Sequence, residues 1–245
     1  MSLLIAEDDA LHRTFLKSIA LTVLPDLQHV EETADGAEAM RSFDRYHHDR
    51  VILDLQMPKV TGVDVARHIW RCRPETRILF WSNYAEEAYI RGITRIVPEQ
   101  AVYGYILKSA SEDRLHLAIQ GVFLEEQCIV DREVRGVQRR SRDQHAGLSE
   151  CEYEALVDLS LGLTDKVMAA RRNVSLRGAQ SRLQQLYLKL GLDRSEIPSG
   201  THGPCYNART RAVFLAMSRG LLNSDSLKNE DALLQEWFRR EGRQD

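Results

Sequence analysis

Apolar residues in the first half of the chain fall into two kinds of run that alternate. Leu3-Leu4-Ile5-Ala6, Val51-Ile52-Leu53, Ile78-Leu79-Phe80-Trp81 and Val102 to Leu107 are short and almost unbroken. Runs of that length predict strands buried on both faces rather than helices, and His29 to Thr33 reads as a further short strand. Between them the apolar positions recur every three or four residues. Leu11, Phe15, Ile19 and Val23 predict a helix over 11–24, with Pro25 just past its end. Asp35-Gly36 opens a second helix through Ala39, Met40 and Phe43. Thr61-Gly62 opens a third, with Val63, Val65, Ile69 and Trp70, ending before Pro74. Two more are expected, from Ala85 to about Ile93 and from Glu112 to Leu124. Strand and helix alternate five times, which predicts an α/β doubly wound five-stranded parallel sheet with right-handed crossovers over residues 1–125.

The second half lacks strand patterns and reads as all-α. Residues 126–147 are polar, with Arg132, Arg135, Arg139, Arg140 and Arg142, and are expected to form a linker. Its charges suit either a solvated connector or contact with nucleic-acid phosphates. Leu148-Ser149 followed by Glu152 is a capping-box start, and that helix runs through Tyr153, Leu156, Val157 and Leu161 to Gly162. Thr164-Asp165 caps a short helix with Val167, Met168 and Ala169. After the Asn173-Val174-Ser175 turn, Leu176 to Leu190 forms a longer helix with Ala179, Leu183, Leu186 and Leu190 on one face. A fourth helix is expected over 208–222, set back by a long loop at 193–207, and residues 223–245 form a helical extension.

Length and charge change this picture little. The 245 residues allow two domains. With 33 Lys+Arg against 36 Asp+Glu, any basic nucleic-acid surface is local. No apolar run approaches membrane-spanning length and no signal-peptide pattern is present, so a cytoplasmic location is expected. Cys72, Cys128, Cys151 and Cys205 form no CxxC pair and read as reduced, mostly packed thiols. His202 and Cys205 are a weak metal-ligand candidate without a second pair nearby.

The strand ends carry the chemistry. Glu7-Asp8-Asp9, Asp54, Ser82 and Lys108 stand at the C-terminal ends of four predicted strands, where open α/β sheets form their crevice. Asp54 alone suits a turn cap as well as a nucleophile. In company with the others it suits a carboxylate that accepts a phosphoryl group. Adjacent carboxylates repel unless a cation relieves them, and hard oxygen ligands suit Mg²⁺; one of Asp8 and Asp9 also caps the next helix. The Ser82 hydroxyl would donate to the bound phosphate and Lys108 would supply a point charge.

With these motifs in place, residues 1–125 resemble the receiver domain of two-component response regulators, a flavodoxin-like fold. The likeness rests on Ile5-Ala6-Glu7-Asp8-Asp9, on Leu53-Asp54-Leu55-Gln56-Met57-Pro58 with Gly62, on Phe80-Trp81-Ser82, and on Gly104-Tyr105-Ile106-Leu107-Lys108-Ser109. The resemblance implies that Asp54 is the phosphoacceptor and that Glu7, Asp8, Asp54 and the Gln56 carbonyl surround Mg²⁺. It also implies that Ser82 and Tyr105 form a switch pair, the ring rotating inward as the hydroxyl meets the phosphate. Measured against that family, the stretch Ile93 to Ala101, with Pro98, is longer than usual. Lys108 is followed by Ser109 rather than Pro, which is common in regulators with the type of output domain that follows in this chain.

Residues 148–222 resemble the LuxR/NarL-type helix-turn-helix domain. Leu148-Ser149, Glu152, Leu156, Leu161-Gly162-Leu163-Thr164-Asp165-Lys166, Ala169, Val174-Ser175 and Lys189-Leu190-Gly191 carry the match. The longer helix would then read DNA. Lys166, Arg177, Gln180, Ser181, Arg182, Gln184 and Lys189 form the expected contact set, although Gln180 and Ser181 replace residues that are often Lys or Val in that family. The expected whole is a regulator phosphorylated by a sensor histidine kinase, dimeric when phosphorylated, binding DNA and not an enzyme. An output domain that binds a protein instead of DNA is the rival. A haloacid-dehalogenase-type hydrolase is disfavoured, because Gln56 stands where its second Asp is needed.

Overall fold

The computed structural model describes residues 1–142, 147–192, 199–200, 203–204 and 206–241, so His202, Cys205 and most of the 193–207 loop lie outside the described residues. The chain divides into two compact units, Met1–Ala85 with Tyr89–Gly136, and Glu86–Ala88 with Val137–Asp245.

In the first unit the short apolar runs are strands of one sheet. They are β1 (Ser2–Ala6), β2 (His29–Thr33), β3 (Arg50–Leu53), β4 (Arg77–Ser82) and β5 (Tyr103–Leu107). Helices α1 (Ala10–Val23), α2 (Gly36–Tyr46), α3 (Gly62–Cys72), α4 (Glu87–Ile96) and α5 (Glu112–Phe123) alternate with them. The order β2-β1-β3-β4-β5 is wholly parallel, and the reversal at β1/β3 opens a crevice at the C-terminal strand ends. Side chains alternate across the sheet. Leu3, Ile5, Ile52, Leu79, Trp81 and Ile106 pack with residues of α1 and α5, while Leu4, Val51, Ile78 and Phe80, buried as deeply, take the opposite face. Helix starts follow their caps: Asp9 accepts from the His12 amide at 2.9 Å and Asp35 from the Glu38 amide at 2.8 Å.

Two expectations are corrected. The sheet has six strands, not five: Ile129–Val130 forms β6, parallel to β5, with Ile129 opposite Gly104 and Val130 opposite Tyr105. The segment expected to be a linker thus contributes a strand, and α6 (Arg132–Arg142) follows it. Asp131 fixes the addition, its carboxylate accepting from the Leu107 amide at 2.8 Å and from Arg114 Nε at 3.2 Å. Helix α4 also begins later than expected, at Glu87, and runs on to Ile96.

The second unit is helical: α7 (Glu150–Ser160), α8 (Asp165–Arg171), α9 (Leu176–Leu190), α10 (Ala208–Ser218) and α11 (Ser224–Glu241). A two-residue antiparallel pair, β7 (Ser199–Gly200) with β8 (Gly203–Pro204), lies between α9 and α10. The capping box at α7 is present: the Ser149 amide donates to Glu152 Oε2 at 2.7 Å, and the Glu152 amide to Ser149 Oγ at 3.3 Å. Ala179, Leu183, Leu186 and Leu190 of α9 are buried with Leu156, Leu159, Met168 and Ala216. Gly191, at φ 75°, closes α9 in the left-handed region. Helix α11 adds Leu234 to the same core, with Leu227 and Trp237 packed against it.

Candidate functional site

Backbone pairing carries four side chains to the crevice. The Glu7 amide donates to Thr33 O at 3.1 Å, the Asp54 amide to Ala6 O at 2.9 Å, and the Lys108 amide to Ser82 O at 2.9 Å. Each strand end is thereby locked to its neighbour. Gly62 lets the turn after β3 close: a Cβ there would meet Asp54 O at 2.0 Å, and its amide donates to Leu55 O at 2.9 Å.

Glu7 and Asp54 are buried and share one cation. Lys108 Nζ donates to Glu7 Oε1 at 2.8 Å and to Asp54 Oδ2 at 3.2 Å. Burial pushes both carboxyls up against the lowering pull of Lys108, and the Asp54 charge raises Glu7 further. Burial alone would lower the Lys108 ammonium, but the two carboxylates outweigh it and hold it above its usual range. Asp8 is exposed at the mouth. Asp9 is spent as the cap of α1, which resolves the choice between the two acids.

A divalent metal fits this donor set. Oxygens of Glu7, Asp8 and Asp54 lie within 4.8 Å of one another. Glu7 Oε2 is buried and, although 2.7 Å from the Lys108 ammonium, accepts no hydrogen bond. The carboxylates of Glu7, Asp8 and Asp54 outnumber that one ammonium, so their hard oxygens keep a negative charge that suits a divalent ion. Gln56 is exposed, and its amide lies 3.4 Å from Asp54 Oδ1.

Ser82 is fully buried and its Oγ accepts from the Tyr84 amide at 3.4 Å. Tyr105 is buried to 1% exposure, with its hydroxyl donating to Tyr84 O at 2.5 Å. The ring therefore points inward, and Ser82 and Tyr105, the residues expected to form the switch pair, both meet Tyr84. Sequence reasoning missed the α1 wall of the crevice. Arg13 Nη1 donates to Glu7 O at 2.7 Å, and the His12 ring sits edge-on to Trp81 at 5.2 Å. Lys108 Nζ lies 5.1 Å from the centre of that indole. The available signal was helical spacing, since His12 and Arg13 stand one turn into the helix that Asp9 caps.

In the second unit, Lys166, Arg177, Gln180, Ser181 and Gln184 are exposed. Gln180 Nε2 reaches Asp165 Oδ2 at 3.4 Å. Arg182 is half-buried, 3.8 Å from Glu154 Oε2. Lys189 is drawn inward, donating to Glu152 Oε2 at 2.8 Å and Gly147 O at 2.9 Å. That ammonium ties α9 to the cap of α7. Burial would raise Glu152, yet Lys189 and the Ser149 amide hold it below the usual carboxylate range. A buried network was also missed. Asp158, fully buried, takes Arg171 Nη1 at 2.6 Å and a two-pronged contact from Arg172 at 2.8 and 2.9 Å. Arg171 continues to Glu230 of α11 at 3.2 Å.

Comparison with known proteins gives a consistent result. A family model described as the response regulator receiver domain matches residues 3–120. The chain is 30% identical over 204 residues to the transcriptional regulatory protein YdfI of Bacillus subtilis, covering 80% of this chain and 86% of that one. It is likewise 30% identical to the oxygen regulatory protein NreC of Staphylococcus aureus, covering 78% and 92%. Among solved structures, it is similar to RcsB of Salmonella enterica serovar Typhimurium bound to promoter rprA with a phosphomimetic. There the TM-score is 0.57 at 18% identity, over 89% of this chain and 98% of that one. A LuxR-family two-component response regulator from Aurantimonas matches 58% of this chain and 96% of its own, at 23% identity and TM-score 0.50. At those identities the structural likeness is one of fold.

Proposed function

This chain belongs to the response-regulator family, and on that premise we propose that it is a transcriptional regulator switched by phosphorylation of Asp54. The observation that carries the reading is the buried Asp54 carboxylate, held by Lys108 beside Glu7 at the crevice of the sheet. In the proposed transfer, an Asp54 oxygen attacks phosphorus on a sensor kinase's phosphohistidine. The P–N bond breaks, its electron pair and a proton stay with the imidazole, and an acyl phosphate forms. Lys108 lies within reach of the new phosphoryl oxygens, and the Ser82 hydroxyl, released from Tyr84, would donate to one of them. Glu7, Asp8 and Asp54, with the Gln56 carbonyl, would hold Mg²⁺, whose charge neutralises the phosphoryl oxygens.

The DNA-binding half of the proposal places α9 in the major groove. Arg177, Gln180, Ser181 and Gln184 are exposed for it, and Lys166 of α8 lies ready for phosphate. Arg182 would leave Glu154 to meet a base, whereas Lys189 acts in this reading through the fold it braces. Phosphorylation would favour a homodimer. A role as regulator rather than enzyme, and a cytoplasmic location, belong to the same reading; no described helix is long and apolar enough to cross a membrane. The pairing of Arg182 and Lys189 leaves few free cations on α9, which favours a protein-binding output as the second reading. Gel-shift titration against genomic fragments separates the two, since a protein-binding domain would retard none.

The test of the central claim is chemical. Acetyl phosphate with Mg²⁺ should add one phosphoryl group to the wild type, seen by intact mass, and none to Asp54→Asn. Omitting Mg²⁺ should stop uptake, because the acid cluster then repels the incoming phosphate. Equal uptake by the Asn variant would remove Asp54 from this role.

A further inference from the structure

A second group of ligand-type side chains lies away from the phosphoacceptor crevice. Asp44 near the end of α2, and His68 and Cys72 on α3, bring one ligand atom each to within 4.8 Å of the others. His68 and Cys72 are four residues apart, so they share one face of α3 on successive turns. Cys72 closes that helix, ten residues or about 15 Å of helix rise from Gly62 at the crevice. His68 Nε2 already lies 2.6 Å from Asp44 Oδ1, which fixes the ring toward the neighbouring helix. Cys72 is a free, exposed thiol, so packing does not account for it.

We infer that Asp44, His68 and Cys72 form a binding site for a divalent transition-metal ion of borderline softness, of which Zn²⁺ is the type. An imidazole, a thiolate and a carboxylate are the donors such ions take, whereas Mg²⁺ prefers oxygen alone. Bond lengths of about 2.0–2.3 Å set the ligand atoms of a tetrahedral site roughly 3.3–3.6 Å apart. Side-chain rotation must therefore open the 2.6 Å His68–Asp44 contact while the three atoms, now within 4.8 Å of one another, close on the ion. Binding replaces the Cys72 S–H proton, which leaves to solvent, by a metal–sulfur bond. The imidazole and carboxylate donate lone pairs, and no oxidation state changes. Three protein ligands leave a fourth position open, for water or for a donor from another molecule. The ion would pin α2 to α3 on one face of the sheet.

Co²⁺ titration of the full chain tests this, because thiolate-bound Co²⁺ shows a charge-transfer band in the near ultraviolet. The wild type should bind one Co²⁺ with that band in the presence of excess Mg²⁺. The band should survive in Asp54→Asn and in a combined Cys128→Ser, Cys151→Ser, Cys205→Ser variant, and vanish in Cys72→Ser. His68→Ala should lower the affinity by about tenfold or more, since losing even an outer partner of a metal ligand costs about 10–100-fold. Absence of the band in the wild type, its persistence in Cys72→Ser, or its loss in the combined variant would each overturn the assignment.

Discussion

His48 shows how one buried side chain sets a pH response away from the crevice. Its side chain is fully buried, Nε2 lies 3.2 Å from Ser42 Oγ, and Nδ1 has no partner. Burial, with the parallel His29 ring nearby, lowers its pKa to about 4. The native state then holds this proton less tightly than the unfolded chain, whose histidine titrates near 6.5. Unfolding therefore takes up a proton between about pH 4 and 6.5. The contribution is complete above that window and is lost as pH falls through it, by up to about 3 kcal/mol. Denaturant unfolding of the wild type and His48→Gln across pH 4–7 should show a shallower slope in the variant. Parallel slopes would mean that carboxylates alone set the response. Residues of this kind were hard to read from sequence, because His48 lies in a run of polar residues, His47-His48-Asp49-Arg50, that resembles a loop. By contrast Glu7, Asp54, Ser82 and Lys108 were legible, since each ends an unbroken apolar run and the parallel topology leaves those ends nowhere else to go.

Elements were legible where one force dominated and obscure where several partners had to be known. The central strands and α9 follow from apolar runs and spacing. Strand β6 does not: it is two residues long, sits in a polar stretch, and exists because β5 offers an edge and Asp131 reaches the Leu107 amide. The Asp158 network was equally hidden, since an acid inside an amphipathic pattern reads as solvent-facing until α8 and α11 bring their charges to it. Removing Asp158 should strand Arg171 and Arg172 without their buried acceptor. Asp158→Ala is expected to destabilise the second unit by about 3–5 kcal/mol. Urea unfolding followed by Trp237 fluorescence, with Trp70 and Trp81 replaced by Phe, measures it; a loss below about 1 kcal/mol would show the network to be dispensable. On α9 the expected outcomes differ by residue. Arg182→Ala should cost on the order of 1–3 kcal/mol on specific DNA and relax one base position, and Arg177→Ala should weaken all sequences and flatten the salt slope by about one unit. Binding titrations at several salt concentrations distinguish them, and unchanged binding in both would move the reading surface elsewhere.

For the whole molecule, the formal charge of −3 leaves no global attraction to nucleic acid, so in the proposed reading DNA affinity would come from a local face and from doubling that face. A complete switch from about 1:99 to 99:1 needs about 5.5 kcal/mol of differential stabilisation. A partial shift of the monomer–dimer balance is the expected size of the change. Light scattering at fixed concentration should accordingly show acetyl phosphate with Mg²⁺ raising the dimer fraction without exhausting the monomer, and Asp54→Asn staying unchanged. A mass that did not move in the wild type would separate phosphorylation from assembly. Strand β6 finally bears on how the molecule can be taken apart in the laboratory. A fragment cut at 125 would strip the partner from Gly104 and Tyr105, leave the Leu107 amide beside Lys108 without its acceptor, and offer a bare strand edge on which copies can stack. A cut after Gly136 keeps that edge covered, so the workable boundary lies eleven residues beyond where the motifs end.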